Sequence, residues 1–347
     1  MAEQKKRALI LSGGGGRGAY HCGVIEYLEL IGWTPDILVG TSIGAINAAA
    51  IASGRSAEEI KTLWMAMTSE RVQQLRLDVF NMDEWTYLFD NQRWEDTLRE
   101  DHWFDFDRIN YGAAPMLAIT ATDVSTGTLN VFCNRAIGAS HSSGPRAKRI
   151  CNVPLSIKHI RASFSIPVVY PWTHVGGDDG PFWDGAVVSN TPLGTALRAG
   201  ATEIIVVLLA PWQEERDAYR DVDGTPRALW ALPGLALDWV LLSAFRSDLK
   251  LFGMANQFVA AYELLDEEAR RQMVRRLWPG EDEDEKLAEL SSWRYADDPW
   301  IVAPKRSLPM EQIIRYKPET HLELFEMGRA DAARSLRQLN TGDLTSA

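Results

Sequence analysis

Two glycine-rich motifs near the start of the chain each follow a short apolar run, and this arrangement restricts the possible folds. The runs, residues 8–11 and 37–39, are branched or leucine-rich and are bounded by turn residues, which is typical of buried parallel strands. The first run leads into the glycine run at 13–18, and the second leads into the sequence GTSIG at 40–44. We therefore predict strand-to-helix turns at both motifs in an α/β protein.

The second motif has the GxSxG form of a nucleophile elbow, a sharp turn that holds a serine hydroxyl above the sheet. Gly40 and Gly44 flank the serine and permit the close backbone approach that such a turn needs. Ser42 is therefore the candidate nucleophile, and the positive end of the following helix points at it. Ordinary residue frequencies produce a GxSxG in about one chain in ten of this length, so the motif needs further support.

The glycine run permits two interpretations. The backbone amides of this run have no side chains in the way and can converge on an oxyanion. The same run also fits the GxGxxG motif of dinucleotide-binding proteins. In those proteins an acidic residue closes the second strand, whereas Asp36 precedes the apolar run at 37–39. The order of elements therefore favours an oxyanion site over a dinucleotide site.

A nucleophilic serine needs a base, and none of the six histidines lies in the strand-end context of a catalytic triad histidine. Asp184 instead ends an apolar run and is followed at once by Gly185. A desolvated carboxyl group has a raised pKa and can accept a proton from serine. Because Asp-Gly pairs also begin ordinary turns, Asp184 considered alone is better explained as the start of a turn than as a base.

Taken together, these segments resemble the patatin-like phospholipase family over residues 5–210. The glycine run resembles the oxyanion block of that family, and GTSIG resembles its nucleophile elbow. Residues 162–167 are similar to its third block, residues 184–186 to its aspartate block, and residues 190–192 to a further stretch. The resemblance implies a three-layer α/β/α fold with a mainly parallel central sheet.

The resemblance also implies a role for each matching residue. Ser42 is the expected nucleophile and Asp184 its only catalytic partner, in a serine–aspartate dyad. Gly14, Gly15 and Gly16 are expected to donate to the oxyanion. The expected supporting residues, which take no part in the chemistry, are Arg17, Gly13, Gly18, Gly40, Gly44 and Gly185. Ala186 stands where many members of the family have glycine, and both forms occur.

The implied reaction is hydrolysis of a lipid or fatty-acyl ester through an acyl-enzyme intermediate, by a phospholipase A, a lysophospholipase or a carboxylesterase. We expect neither a cofactor nor a metal, since the sequence has no zinc-type cluster and no EF-hand pattern. Two other classes stay open. One is a catalytically silent scaffold that binds lipid or a partner, and the other is a dinucleotide-binding protein.

Composition limits the partners. The formal net charge of -11 makes nucleic acid an improbable partner and disfavours electrostatic adhesion to anionic lipid. Any peripheral membrane contact should therefore be apolar. The three cysteines form no short-range framework, and the sequence contains neither a signal peptide nor a spanning helix, which favours a cytoplasmic location.

Two regions lie outside the motifs. Residues 71–111 are rich in aromatic side chains, which either cap the site as a lid-like insertion or pack a helical subdomain. Residues 211–347 are predicted to be mainly helical and packed on the core, with a helix at 229–265 that docks on the core or seats on a membrane. We also predict strand fragments at 168–170 and a solvated acidic loop at 281–285.

Overall fold

A computed structural model describes residues 5–76, 86–137, 149–176, 180–212 and 232–342 of the chain. The strands are β1 (Arg7–Leu11), β2 (Ile37–Thr41), β3 (Gln74–Leu75), β4 (Phe89–Asp90), β5 (Met116–Asp123), β6 (Leu129–Cys133), β7 (Arg149–Asn152), β8 (Phe182–Asp184), β9 (Glu203–Val207) and β10 (Trp300–Val302). The helices are α1 (Ala19–Leu30), α2 (Ile43–Ala52), α3 (Ala57–Ala66), α4 (Ser69–Val72), α5 (Gln92–Glu100), α6 (Phe106–Tyr111), α7 (Ile157–Ser163), α8 (Leu193–Arg198), α9 (Leu232–Glu263), α10 (Glu267–Leu277), α11 (Glu283–Ser292), α12 (Pro318–Ser335) and α13 (Arg337–Gly342).

The central sheet has the strand order β10-β9-β1-β2-β5-β6-β7, and β8 pairs with β5 off this path. Strands β10, β9, β1, β2 and β5 are parallel to one another. Strands β6 and β8 run antiparallel to β5, and β7 is parallel to β6. The parallel strands β1 and β2 therefore place the turns that follow them at one edge of the sheet.

The two faces of the sheet bury separate sets of apolar side chains. Leu9 and Leu11 of β1 face a cluster that includes residues of α1, α2, α7 and α12. Ala8 and Ile10 face the opposite way, into a cluster that includes residues of α8 and α9. Because successive side chains of a strand point to opposite faces, both faces are covered and β1 is buried from Ala8 to Leu11. This arrangement confirms the expected three-layer α/β/α fold.

The region after residue 211 contributes to both helical layers and to the sheet. Strand β10 pairs in parallel with β9 at one edge. Helix α9 buries Leu242, Phe245 and Phe252, whereas Trp239 and Val240 are more than half exposed although they are apolar. No described helix combines the length and the apolar character needed to cross a membrane.

Helices α1 and α12 cross at very short range. A Cβ atom added at Gly23 of α1 would lie 1.9 Å from the carbonyl oxygen of Phe325, and one added at Gly328 of α12 would lie 2.1 Å from that of Tyr20. Only residues without a side chain allow the two backbones to approach this closely. The sequence pattern gave no indication of this contact, since it joins segments far apart in the chain.

The predicted strand at 168–170 is wrong. Val168 forms only an isolated bridge with Tyr87, and its φ of 68° lies outside the extended region. The amide of Val169 donates to the carbonyl oxygen of Ile166 at 3.1 Å, which closes a turn with Pro167 at its second position. Proline at that position favours a turn, and this local effect outweighs the strand preference of the valines.

The predicted acidic loop at 281–285 is also wrong. Helix α11 begins at Glu283, and the Asp282 side chain accepts a hydrogen bond from the amide of Glu285 at 2.8 Å. Glu283 forms ion pairs with Arg271 and Arg275 of the neighbouring helix α10. Acidic residues are favourable at a helix N-terminus because they interact with the positive end of its dipole, so the run starts a helix.

Candidate active site

Ser42 lies at the sharp turn between the end of β2 and the start of α2. Its backbone has a φ of 56° and a ψ of -127°, a conformation that a non-glycine residue adopts only under strain. The amide of Ser42 donates to the hydroxyl oxygen of Ser163 at 2.9 Å, which ties the turn to the end of α7. This geometry is that of a nucleophile elbow, as the GxSxG motif predicts.

The flanking glycines allow the elbow to pack against its neighbours. A Cβ atom at Gly44 would lie 2.1 Å from the carbonyl oxygen of Leu11, and one at Gly40 would lie 2.5 Å from the Cα atom of Ala45. Two further glycines that we expected to be supporting are similarly crowded. A Cβ atom added at Gly18 would lie 2.5 Å from a side-chain atom of Ile43, and one added at Gly185 would lie 2.4 Å from a side-chain atom of Thr120.

Asp184 ends strand β8, which pairs antiparallel with β5 and so reaches the same sheet edge as Ser42. Its Oδ2 atom accepts a hydrogen bond from the Ser42 hydroxyl at 2.5 Å, and its Oδ1 atom accepts one from the amide of Ala186 at 2.8 Å. The amide of Asp184 donates to the carbonyl oxygen of Ser165 at 2.9 Å. Hydrogen bonds therefore hold both carboxylate oxygens and the backbone amide of Asp184.

Burial changes the electrostatics of this carboxyl group. Asp184 is 3% exposed, and removal of water from the carboxylate raises its pKa to about 7. The hydrogen bonds from Ser42 and Ala186 act in the opposite direction and favour the charged form. Around neutral pH the group can therefore both accept and release a proton, which suits a general base.

The glycine run lies beside this pair. Gly15–Gly18 form a short 3-10 helix, whose first amides have no partner within the helix. Gly15 has a φ of 59°, and the amide of Gly13 donates to Oδ1 of Asn190 at 2.7 Å. A Cβ atom at Gly13 would lie 2.8 Å from that of Ser42, so the loop directly adjoins the candidate nucleophile.

A segment of the C-terminal region packs on the outside of this glycine loop. Added Cβ atoms at Gly15 and Gly16 would lie 1.9 Å and 2.4 Å from the carbonyl oxygens of Ile313 and Gln312. The segment is in turn anchored to the residues before α5, since Ile314 accepts a hydrogen bond from the Gln73 side chain at 2.7 Å. The shape of the glycine loop thus depends on residues far away in the sequence.

Arg17 is buried, with 1% of its side chain exposed, and fastens the glycine loop to three other segments. Its guanidinium group donates to Asp238 at 2.9 Å, to the Leu308 carbonyl oxygen at 2.7 Å and to the Leu209 carbonyl oxygen at 3.4 Å. Asp238 lies on α9 and is fully buried. The contacts of Arg17 are those expected of a residue that supports the loop.

Aromatic side chains pack together beside the segment that covers the glycine loop. Tyr316 follows the segment that covers the glycine loop, and its ring centroid lies 5.0 Å from that of Trp94. Trp94 also contacts Phe164, at 5.3 Å between centroids, and donates to the Tyr170 hydroxyl at 3.3 Å. Ser42 itself is only 2% exposed.

The aromatic segment at 71–111 supplies Trp94 to this cluster of rings. Trp94 and Trp103 are both buried in the main core cluster, which favours the packing interpretation for these two residues. Tyr111 is exposed, while Phe80 and Trp85 lie outside the described residues. The function of the segment as a lid-like cap stays a prediction.

Three side chains that support the site had no individual role predicted from the sequence. Ser163 and Asn190 belong to matching blocks, and each holds a backbone amide of the elbow or of the glycine loop. Asp238 had a visible signal, because it is the acidic residue that interrupts an apolar stretch of α9. A lone charge in such a helix suggests a buried partner, but the sequence does not reveal which one.

The fold and this site together define an α/β protein with a buried serine–aspartate pair beside a glycine-rich loop. A family model described as patatin-like phospholipase matches residues 9–197. The chain therefore belongs to the patatin-like phospholipase family, and membership supports a lipid acyl hydrolase activity in general.

Individual relatives are distant. The protein YqhO of Bacillus subtilis (strain 168), described as uncharacterized, is 29% identical over 223 residues, which cover 60% of this chain and 72% of that protein. Patatin-like phospholipase domain-containing protein 6 of Homo sapiens is 28% identical over 258 residues, covering 72% of this chain but 16% of that protein. Among solved structures, VipD from Legionella pneumophila is 14% identical with a TM-score of 0.43, covering 97% of this chain and 67% of VipD.

Proposed function

We propose that this protein hydrolyses the acyl ester bond of a lipid with a Ser42–Asp184 dyad. The observation that carries the proposal is the 2.5 Å hydrogen bond from the Ser42 hydroxyl to Oδ2 of Asp184. A nucleophile and its base must lie within hydrogen-bonding distance before any other requirement matters. Because burial raises the pKa of the Asp184 carboxyl group to about 7, this group can take up the serine proton near neutral pH.

In the first half of the reaction, the Oγ atom of Ser42 attacks the acyl carbonyl carbon while its proton passes to Asp184. The carbonyl oxygen becomes an oxyanion, and in this proposal the amides of Gly14, Gly15 and Gly16 bind it. The tetrahedral intermediate then collapses, and the alcohol leaves with the proton that Asp184 returns to it. The acyl group is left as an ester on Ser42.

In the second half, water takes the place of the alcohol. Asp184 accepts a proton from that water as its oxygen attacks the acyl carbon, and the same glycine amides bind the second oxyanion. Collapse of this intermediate breaks the bond to Oγ, and Ser42 recovers its proton from Asp184. The products are a free fatty acid and the regenerated dyad, so the balance requires only lipid ester and water.

The substrate class follows from the surroundings of the dyad. Ser42 and Asp184 are both buried, and their neighbours Ile43 and Phe182 belong to the main core cluster, so the surroundings suit an acyl chain better than a charged group. We propose a phospholipid, a lysophospholipid or a simple fatty-acyl ester as substrate, reached through apolar peripheral contact with a membrane. A panel of these lipids, scored by release of fatty acid, would distinguish among them.

The test of the dyad uses two variants and a matched control. Ser42→Ala and Asp184→Asn should each lower hydrolysis of a short p-nitrophenyl ester by a factor on the order of 10⁴ or more. Ser53→Ala is the control, because Ser53 caps the far end of the same helix α2 and has no contact with the dyad. Retained activity in either dyad variant would remove that residue from the mechanism.

A covalent fluorophosphonate probe separates the hydrolase from the scaffold. A working dyad should label Ser42, and labelling should vanish in Ser42→Ala. A folded protein that is never labelled but binds lipid vesicles would favour the catalytically silent scaffold instead. Tight binding of NAD without labelling would favour the dinucleotide-binding alternative.

A further inference from the structure

A buried ion pair connects the glycine loop to a helix that lies beyond the residues matched by the family model. Arg17 and Asp238 are 1% and 0% exposed at their side chains, with 2.9 Å between NH1 and Oδ1. The second carboxylate oxygen of Asp238 accepts a hydrogen bond from the hydroxyl of Ser307 at 2.8 Å. Both oxygens of Asp238 are therefore engaged, and the carboxylate has a single orientation.

We propose that Asp238 is a positioning residue, which fixes the oxyanion-binding amides of the glycine loop through Arg17, with Ser307 holding Asp238 in place. The proposal rests on the proposed hydrolase function and extends it to the C-terminal region. Asp238 does not touch the reacting atoms itself. Its effect passes through Arg17, which directly follows Gly16 in the same 3-10 turn.

The electrostatics of the pair favour this role. A buried guanidinium group is costly unless a carboxylate and hydrogen-bond acceptors satisfy it. Among the described residues, Asp238 is the carboxylate within ion-pair distance of Arg17, and two backbone carbonyl oxygens accept further hydrogen bonds from its two terminal nitrogens. Without the charge of Asp238, Arg17 has reason to turn toward water, and the loop would follow its side chain.

The geometry shows why the loop needs such a restraint. Glycine amides point at an oxyanion only while their peptide planes are fixed, and glycine itself supplies little conformational restraint. One side of the loop is held by contacts of Gly15 and Gly16 with the backbone at 312–313, and the ion pair holds it from Arg17. A misplacement of about 1 Å in a catalytic group can cost on the order of 100-fold in rate.

A purely structural role for Asp238 has a matched control on the same helix. Asn256 of α9 is also buried, and its side chain forms two hydrogen bonds with the backbone of Ala296, at 2.7 Å and 3.1 Å. It anchors α9 without any contact to the glycine loop. If Asp238 merely secures α9, then Asn256→Ala should have the same effect as Asp238→Asn.

The first experiment compares the rates at which a fluorophosphonate probe labels wild type, Asp238→Asn, Ser307→Ala and Asn256→Ala, with kcat and KM for a p-nitrophenyl ester. We expect Asp238→Asn to lower the labelling rate and kcat by on the order of 100-fold with KM within about threefold. Ser307→Ala, which leaves the ion pair intact, should lower both by roughly threefold to tenfold. Asn256→Ala should keep the wild-type rates.

A second readout does not depend on activity. Hydrogen exchange in peptides that contain residues 13–18 should be at least about tenfold faster in Asp238→Asn than in wild type, and unchanged in Asn256→Ala. In an Arg17→Met background, Asp238→Asn should add little further loss, because both act through one contact. If Asp238→Asn does not fold, Ser307→Ala provides the same comparison with a milder change.

Several outcomes overturn the proposal. They are wild-type labelling in folded Asp238→Asn, an equal loss in Asn256→Ala, or unchanged exchange at residues 13–18. Failure of the proposed function looks different. If wild type neither labels nor hydrolyses any ester, the hydrolase is refuted, and the exchange rates alone decide whether Asp238 restrains the loop.

Discussion

At the scale of single residues, the carboxyl group of Asp184 sets the expected pH dependence of the reaction. Its pKa is raised to about 7 by burial, and only the deprotonated form can accept the proton of Ser42. We expect kcat/KM to fall about tenfold for each pH unit below 7 and to level off above it. Initial rates with a p-nitrophenyl ester between pH 5 and 9, corrected for spontaneous hydrolysis, measure this profile. A flat profile from pH 5 to 8 would contradict the role of Asp184 as base.

The same shift affects stability with a definite sign. Because the pKa of Asp184 is higher in the folded state than its ordinary value of 3.8, the folded protein binds a proton that the unfolded chain has lost. The stabilisation that this bound proton gives to the folded state is complete below pH 4 and is lost as pH rises through 7. The total loss in the free energy of unfolding is roughly 4 kcal/mol.

Asp184→Asn removes this cost, since an amide does not ionise. We expect the variant to be more stable than wild type by roughly 2 to 4 kcal/mol at pH 8 and to differ by less than about 1 kcal/mol at pH 4. Urea unfolding at the two pH values measures both differences. A variant that is equally destabilised at both would mean that its hydrogen bonds matter more than its charge.

The strained backbone of Ser42 permits a comparison of two inactive variants. At a φ of 56°, glycine is unstrained whereas alanine keeps the strain of any residue with a Cβ atom. Ser42→Gly should therefore be more stable than Ser42→Ala by about 1 kcal/mol, and thermal unfolding of both variants tests this. Equal melting temperatures would indicate that the turn relaxes once the hydroxyl is absent.

At the scale of elements, the crossing of α1 and α12 depends on glycine. Gly23→Ala would place a methyl group 1.9 Å from the carbonyl oxygen of Phe325, so the helices must separate. We expect a loss of roughly 2 to 4 kcal/mol in the free energy of unfolding, as for other overpacked contacts between backbones. Urea denaturation gives this value.

Gly253→Ala is the matched control for that crossing. Gly253 lies inside α9 with open space around its Cα atom, so alanine meets no neighbour there. Alanine is a better helix former than glycine by about 1 kcal/mol, and this variant should be slightly stabilised. A stabilised Gly23→Ala would show that the α1–α12 contact is less tight than its geometry indicates.

These elements also show what the sequence could predict. Where local signals act alone, sequence and structure agree: Ser56 and Glu59 have the spacing of a capping box and form one at the start of α3, and β5 and β6 pair as a hairpin across the turn that contains Gly127. The pairing of Ser42 with Asp184 could be predicted because the ends of strands in one sheet lie at a shared edge. The turn at Val168 could not be predicted, because the geometry of the preceding proline overrides the strand preference of valine. The contacts of Asp238 could not be predicted either, because its ion-pair partner lies far away in the sequence.

At the scale of the whole molecule, the folding unit is longer than the matched segment of residues 9–197. Strand β10 extends the sheet beside β9, α9 covers one face of it, and α12 packs on α1. Removal of the C-terminal region would expose the core side chains that pack with Phe245, and it would leave Arg17 without its ion-pair partner Asp238. A chain that retains every catalytic motif should therefore still lack a complete core.

We predict that a chain ending at residue 212 does not fold, although it contains Ser42, Asp184 and the glycine loop. It should show no cooperative unfolding by circular dichroism and no fluorophosphonate labelling, because the uncovered apolar faces favour aggregation. A chain ending at residue 342, which keeps every described element, is the control and should match the full chain in melting temperature. A soluble, cooperatively folded and labelled 1–212 fragment would show that the core does not need the C-terminal region. It would also show that the glycine loop does not need the support of Asp238.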